Sequence, residues 1–398
     1  MMNNRSKFTL FPIFLVLYEI AIYFSNDAYL PALPTISTDL ATSHHLVQLT
    51  LTLWFLGSAT MQLILGPISD RYGRKPVLLI GGIIFALTCI LCGLTHSITL
   101  LLVFRFIQGA TITSMVIPGY AAIHEYFSHE KAIHTLALMG SITVLAPSLG
   151  PLLGVLILTV AGWRWIFFLL AFWAFLMLIV LYFKMPETNI KGYQHPIHIK
   201  KIAKNYGNII SNKIFMARLF CFCFLFGAMI AWIAAGPFLV ISDFHHSSLI
   251  FAVMQVMVFG SFILCTRSLK LLMRHLQNTT LIKMGLGLAF AGASFSVLAS
   301  LLFPQNLWLM VVSMMFIAAG SGLSFPLLNR MAIEASTAPM GTRMAVLSTA
   351  MSLLAVLGSG LTSWFYNGSL VSFSMILILF ISIAYALNGF IYLKKHTS

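Results

Sequence analysis

Residues 46–94 read LVQLTLTLWFLGSATMQLIL (46–65), GPISDRYGRK (66–75) and PVLLIGGIIFALTCILCGL (76–94). Two uncharged, strongly apolar runs flank one short turn that holds Asp70, Arg71, Arg74 and Lys75. A helix crossing the hydrocarbon core of a bilayer needs about 20 apolar residues. Each run meets that length, and the turn is too polar to stay in lipid. This stretch therefore reads as two membrane helices joined on one side of the membrane.

The same pattern repeats along the chain. Twelve apolar runs fall at about 10–32, 46–68, 77–95, 98–122, 133–160, 165–184, 214–241, 248–268, 280–303, 306–328, 343–366 and 370–392. Composition agrees. Of the 398 residues, 60% are hydrophobic and 8% charged, against about 25% charged in a soluble domain. Such a chain has too little charge to cover a water-facing surface, so lipid is its solvent. The predicted fold class is an all-α membrane protein with twelve transmembrane helices in two six-helix bundles.

The formal net charge is +14. The basic residues sit between apolar runs rather than on one face, which excludes a nucleic-acid partner and points to topology. With a cytoplasmic N-terminus, all but three of the 23 Lys and Arg residues face inside. Arg164 lies outside, and Arg105 and Arg218 lie within runs. This bias predicts both termini in the cytoplasm. The N-terminal run exceeds 20 residues and lacks a small-residue cleavage site, so it reads as an uncleaved span. The polar, basic stretch 185–213 divides the runs six and six. The expected organisation is an N-terminal bundle (1–190), a linker (191–213) and a C-terminal bundle (214–398). Cys89, Cys92, Cys221, Cys223 and Cys265 all lie in apolar runs with no ligand set around them. No metal or cofactor is expected, and no nucleotide-binding motif is present.

Only nine acidic residues exist. Asp39, Asp70, Glu125, Glu130, Glu187, Asp243 and Glu334 fall in loops or at membrane edges. The remaining two, Glu19 and Asp27, lie inside the first run, in LYEIAIYFSNDAYLP (17–31). A carboxyl group at membrane depth is costly and marks an ion or substrate path. Eight residues give about 12 Å of rise and roughly 80° of rotation, so both acids line one side of a helix at different depths. Tyr23 lies one turn from each. Loss of water favours the neutral form of an acid, so such a group exchanges a proton for a cationic ligand. Arg105, in VFRFIQG (103–109), falls at nearly the depth of Asp27 and needs a carboxylate or backbone partner. It is expected to couple to these acids. In 66–75, Gly66 is expected to let helices approach closely, Gly73 to allow a tight turn, and Asp70 to pair with a base or cap a helix. APSLGPLLG (146–154) places Gly150, Pro151 and Gly154 where a helix bends and packs tightly.

These segments resemble the major facilitator superfamily. GPISDRYGRK is similar to its cytoplasmic-loop signature GxxxDRxGRR/K. RFIQG resembles a second signature. APSLGPLLG resembles the antiporter signature GxxxGPxxG, with Ala146 in its first place. LYEIAIYFSND, GYAAIHEYF, LALMG and MPET extend the resemblance to the drug/proton antiporter branch over about residues 10–190. In the second half, TRSLKLLMRH (266–275) lacks the Asp and glycines of the loop signature.

The resemblance implies that Glu19 and Asp27 bind protons and substrate and that Arg105 helps to couple them. It implies that Asp70, Arg71 and Arg74 hold a cytoplasmic gate. It also implies that Tyr23, Asn26, Met139, Gly140 and Thr143 line the pocket. The function expected is export of small lipophilic, often cationic, compounds across a bacterial inner membrane by a monomer driven by the proton gradient. A dedicated exporter of an endogenous metabolite such as a siderophore or sugar, a proton/nutrient symporter, and a membrane receptor or scaffold stand as alternatives.

Overall fold

In the computed structural model the described residues are 11–189, 199–338 and 340–396. The expected linker 191–213 therefore lies partly outside them. Among the described residues all regular structure is helical. Eleven helices are long and apolar enough to cross a membrane, and a bent pair makes twelve.

The chain forms two compact units: 1–42 with 53–198, and 43–52 with 199–398. The first unit is built from α1 (Phe11–Asp27), α2 (Leu33–Asp39), most of α3 (His44–Gln62), α4 (Leu65–Tyr72), α5 (Arg74–Leu94), α6 (Ile98–Tyr126), α7 (His129–Val160) and α8 (Arg164–Lys184). The second holds α9 (Ile199–Ile210), α10 (Lys213–Pro237), α11 (Ser248–Leu272), α12 (Asn278–Leu302), α13 (Leu307–Glu334), α14 (Met340–Phe365) and α15 (Leu370–His396).

In the first unit α1 packs on α7 and α8, and α5 on α6 and α8. In the second, α10 packs on α14 and α15, and α12 on α13 and α15. The neighbour scheme is the same in both. Two copies of one bundle are the repeat from which secondary transporters are built. Large apolar side chains point outward as well as inward: Phe172 is 69% exposed and Leu264 70%. Helices apolar all round, with their backbone bonds satisfied internally, are what a bilayer requires.

Two prolines cut the apolar runs where sequence alone reads straight helices. A proline ring clashes with the carbonyl four residues back. For Pro31 that carbonyl belongs to Asp27, and α1 stops there; a 3-10 turn, Leu30–Ala32, leads into α2. For Pro67 it belongs to Leu63, where α3 gives way to α4 at a 52° bend. The run read as 46–68 is therefore two helices. The second unit ends α10 differently, in a π-helical turn over Phe238–Asp243.

Close helix crossings depend on glycine. A Cβ at Gly109 of α6 would come 1.9 Å from the Trp54 carbonyl oxygen, and one at Gly57 of α3 would come 2.0 Å from that of Phe106. Gly109→Ala is expected to destabilise the detergent-solubilised protein by about 1–3 kcal/mol, read as a lower melting temperature. Gly260→Ala is expected to be neutral or slightly stabilising, because its Cβ would meet nothing within 4 Å and alanine favours a helix.

Candidate functional site

Helix α1 buries both of its acids: Glu19 is 0% and Asp27 3% exposed. The two sit in different surroundings. Tyr120 of α6 donates to Glu19 Oε1 at 2.9 Å, while Glu19 Oε2 is buried without a partner. Asp27 Oδ1 accepts from Asn26 Nδ2 at 3.3 Å. Among the described residues no Lys, Arg or His forms an ion pair with either acid.

Asp27 sits at the proline-terminated end of α1, and α7 presses against it there. A Cβ on Gly150 would lie 2.6 Å from Asp27 Cβ, and one on Gly154 would lie 1.8 Å from the Ala28 carbonyl oxygen. Pro151 stands between the two glycines within the helix. These residues therefore do more than bend α7. They form the surface on which the Asp27 backbone rests.

Arg105 is fully buried. Its Nη1 donates to the Ser25 carbonyl at 2.9 Å and to Gln108 Oε1. Its Nη2 donates to Asn26 Oδ1 at 3.3 Å. Its guanidinium carbon lies 4.4 Å from the centre of the Tyr29 ring and 5.9 Å from that of Trp54. One backbone carbonyl, two side-chain amides and aromatic faces thus hold the charge, and Asn26 bridges Arg105 to Asp27. Gln108 continues the network, donating to the thiol of Cys89 at 2.9 Å.

The other implied pocket residues divide. Tyr23 hydrogen-bonds with Thr143 of α7, and Asn26 joins Arg105 to Asp27. Met139 is buried about one turn before Thr143. A Cβ on Gly140 would meet nothing within 4 Å. Tyr120 escaped the sequence reading. A tyrosine in an apolar run looks like packing, and its only signal is its place two residues after Pro118, in GYAAIHEYF.

At the cytoplasmic signature, Arg74 pairs with Asp70 at 2.5 Å and with Glu125 at 2.9 Å. It also donates to Ser69 Oγ at 2.6 Å. The Glu187 carboxylate accepts from the backbone N–H of Arg74 at 3.0 Å and of Lys75 at 3.1 Å. It therefore caps the first turn of α5, where unpaired donors and the helix dipole favour an anion. Thr188 donates to Glu125 and Asn189 to the Asp70 carbonyl.

Glu125 and Glu187, read from sequence as edge acids, thus complete the cluster. Gly73 has φ of 100°, a left-handed conformation that glycine adopts freely. One expectation needs correction. Gly66 does not mediate a close approach, since a Cβ there would meet nothing within 4 Å; it precedes the Pro67 bend. Arg71 lies exposed over the Tyr72 ring, 5.4 Å from its centre, apart from the Arg74 cluster. In the second unit two arginines rest on backbone carbonyls. Arg343 donates to Ile333 O and Ser336 O, and Arg218 to Met331 O.

A repeated pair of helical bundles with carboxyls buried at membrane depth defines a secondary membrane transporter rather than an enzyme. The chain belongs to the major facilitator superfamily, whose family model matches residues 15–304. It is 32% identical to the multidrug resistance protein MdtM of Salmonella typhimurium, over 92% of this chain and 89% of that one. It is 32% identical to the chloramphenicol resistance protein CraA of Acinetobacter baumannii, over 87% and 83%. It is also 32% identical to the multidrug transporter MdfA of Edwardsiella piscicida, over 90% and 88%. A bacterial homologue of the human lysosomal transporter Spinster, solved inward-facing and unoccupied, shares the fold at 15% identity. Its TM-score is 0.72, covering 98% of this chain and 97% of that one.

Gly154→Ala is expected to reduce transport more than tenfold in membrane vesicles while the protein still inserts, because the Ala28 carbonyl must move. Gly140→Ala is expected to stay within about twofold of wild type. Tyr120→Phe removes the one hydrogen bond shown on Glu19 and is expected to cost about 1–3 kcal/mol of substrate affinity, measured as a weaker Kd.

Proposed function

We propose that the chain is a multidrug/proton antiporter that exports lipophilic, often cationic, compounds across the bacterial inner membrane by alternating access. One observation carries the reading: Glu19 is wholly buried with a free carboxylate oxygen and no cation beside it among the described residues. A charge buried in this way is unstable unless a proton or a cationic ligand completes it. The two completions exclude each other, and that exclusion is the coupling. Relatives named for multidrug resistance and chloramphenicol resistance support this substrate class.

Substrate entering from the cytoplasm or inner leaflet displaces protons from the α1 acids. Protons from outside then displace substrate. One charge moving through 100 mV supplies about 2.3 kcal/mol, and the pH gradient adds to it. No cofactor is needed, since the proton gradient supplies the energy. Both acids, Arg105 and the signature glycines lie in one unit of one chain, which supports action as a monomer. The bias of Lys and Arg toward one side supports cytoplasmic termini.

The test is proton release when tetraphenylphosphonium binds the purified, reconstituted protein. Wild type is expected to release protons and to bind more tightly as pH rises, by up to about tenfold per unit for each proton displaced. The sign follows from competition: fewer protons at high pH leave more sites open to the cation. Glu19→Gln or Asp27→Asn is expected to abolish part or all of the release. Binding with no release from wild type would overturn the exchange model for this ligand.

A further inference from the structure

The segment joining the two bundles has its own helix, α9, with the sequence IKKIAKNYGNII. At about 100° per residue, positions 199, 202, 203, 206, 209 and 210 fall within an arc of about 120°. They hold Ile, Ile, Ala, Tyr, Ile and Ile. Positions 200, 201, 204, 205, 207 and 208 fill the opposite side with three lysines, two asparagines and a glycine. The separation is complete.

α9 packs on α10 and α14 and ends just before α10 begins; with the linker on the cytoplasmic side, that puts it at the level of the inner-leaflet headgroups. Its apolar side is only partly covered by protein. Ile209 is fully buried, but Ile210 is 58% exposed and Ile214, at the start of α10, is 49% exposed. Lys204 and Asn208 are exposed. Isoleucines left open beside a membrane-spanning helix fit acyl chains better than water.

Among the described residues neither Lys204 nor Lys213 forms an ion pair. No Asp or Glu occurs between Glu187 and Asp243. At the cytoplasmic end of the second unit the single acid is Glu334, which Arg330 engages at 2.7 Å. The basic side of α9, with Lys213 just beyond, therefore suits an anion from outside the protein. Its position selects a lipid phosphate.

We propose that α9 is an interfacial anchor whose lysines bind the headgroups of anionic lipids in the inner leaflet while Ile210 and Ile214 enter the acyl region. This rests on the membrane reading and not on the transport reading. Each lysine near such a surface strengthens binding by about fivefold.

The full-length protein would be placed in nanodiscs of phosphatidylcholine containing phosphatidylglycerol, then released and examined by native mass spectrometry for retained lipid. Wild type is expected to retain phosphatidylglycerol preferentially. The triple variant Lys200→Gln/Lys201→Gln/Lys204→Gln is expected to lose that preference by about fivefold per lysine. The triple Lys→Arg variant should keep it, and Ile210→Asn should weaken it with the charge intact. Equal loss in a control triple, Arg267→Gln/Lys270→Gln/Arg274→Gln, would overturn the proposal by showing bulk charge alone. Wild-type retention in the α9 triple would overturn it as well. Displacement of the lipid by soluble polyglutamate would overturn it in favour of an acidic protein partner.

Discussion

The contact between α7 and the end of α1 sets the position of nearly everything else in the first unit. Pro31 frees the Asp27 carbonyl and ends α1. Gly150 and Gly154 then let α7 approach to backbone distance at Asp27 and Ala28. With larger residues at either glycine, α1 would stand off by more than a methyl group. Asn26 would lose its reach to Arg105, and Tyr29 would leave the guanidinium face. Van der Waals packing between small residues is the main attraction available to helices in lipid. The site is therefore held by the same force that holds the bundle.

α6 links this site to the Arg74 cluster. It carries Arg105 and Gln108 near Asp27, Tyr120 on Glu19, and Glu125 on Arg74. Twenty residues of helix separate Arg105 from Glu125, or about 30 Å. Arg105, the partner of Glu19 and one of the two carboxylates on Arg74 thus all belong to one rod. Pro118 interrupts the rod's hydrogen bonding near Ser114, between the outer pair and the inner pair. Tyr120, which donates to Glu19, lies little more than one turn from Glu125, which pairs with Arg74.

Much of this was legible in the sequence because lipid imposes simple rules. Length, apolarity and the bias of Lys and Arg gave the spans, and elimination among nine acids left Glu19 and Asp27. The misses share a cause. Glu125 and Glu187 lie near run ends, where an acid costs little, and only the folded turn shows Arg74 and the α5 N-terminus waiting for them. Tyr120 is polar at one atom and apolar elsewhere, so hydropathy hides it. Gly66 failed in the other direction. The motif puts a glycine there, but the structure leaves open space around it, while the less conspicuous Gly57 and Gly109 make the tight crossing. Spacing showed the depth of Arg105, but not that amides, a carbonyl and ring faces would hold it.

The repeat of the two bundles does not extend to their chemistry. From residue 199 onward the chain has only Asp243 and Glu334. Both lie at the ends of their helices, engaged by Tyr366 and Arg330 respectively. Both acids of the second unit are exposed, whereas Glu19 and Asp27 of the first are buried. The interior of the second unit is furnished differently. Phe325 of α13 gathers Phe222, Phe226 and Phe262 around it at ring separations of 4.8, 6.4 and 5.4 Å. Gln255 keeps a buried, unpartnered amide nitrogen beside Trp232. Aromatic faces and a single amide distinguish little among apolar ligands of similar size. Buried carboxyls in one bundle and undemanding apolar surface in the other make a division that suits a multidrug transporter.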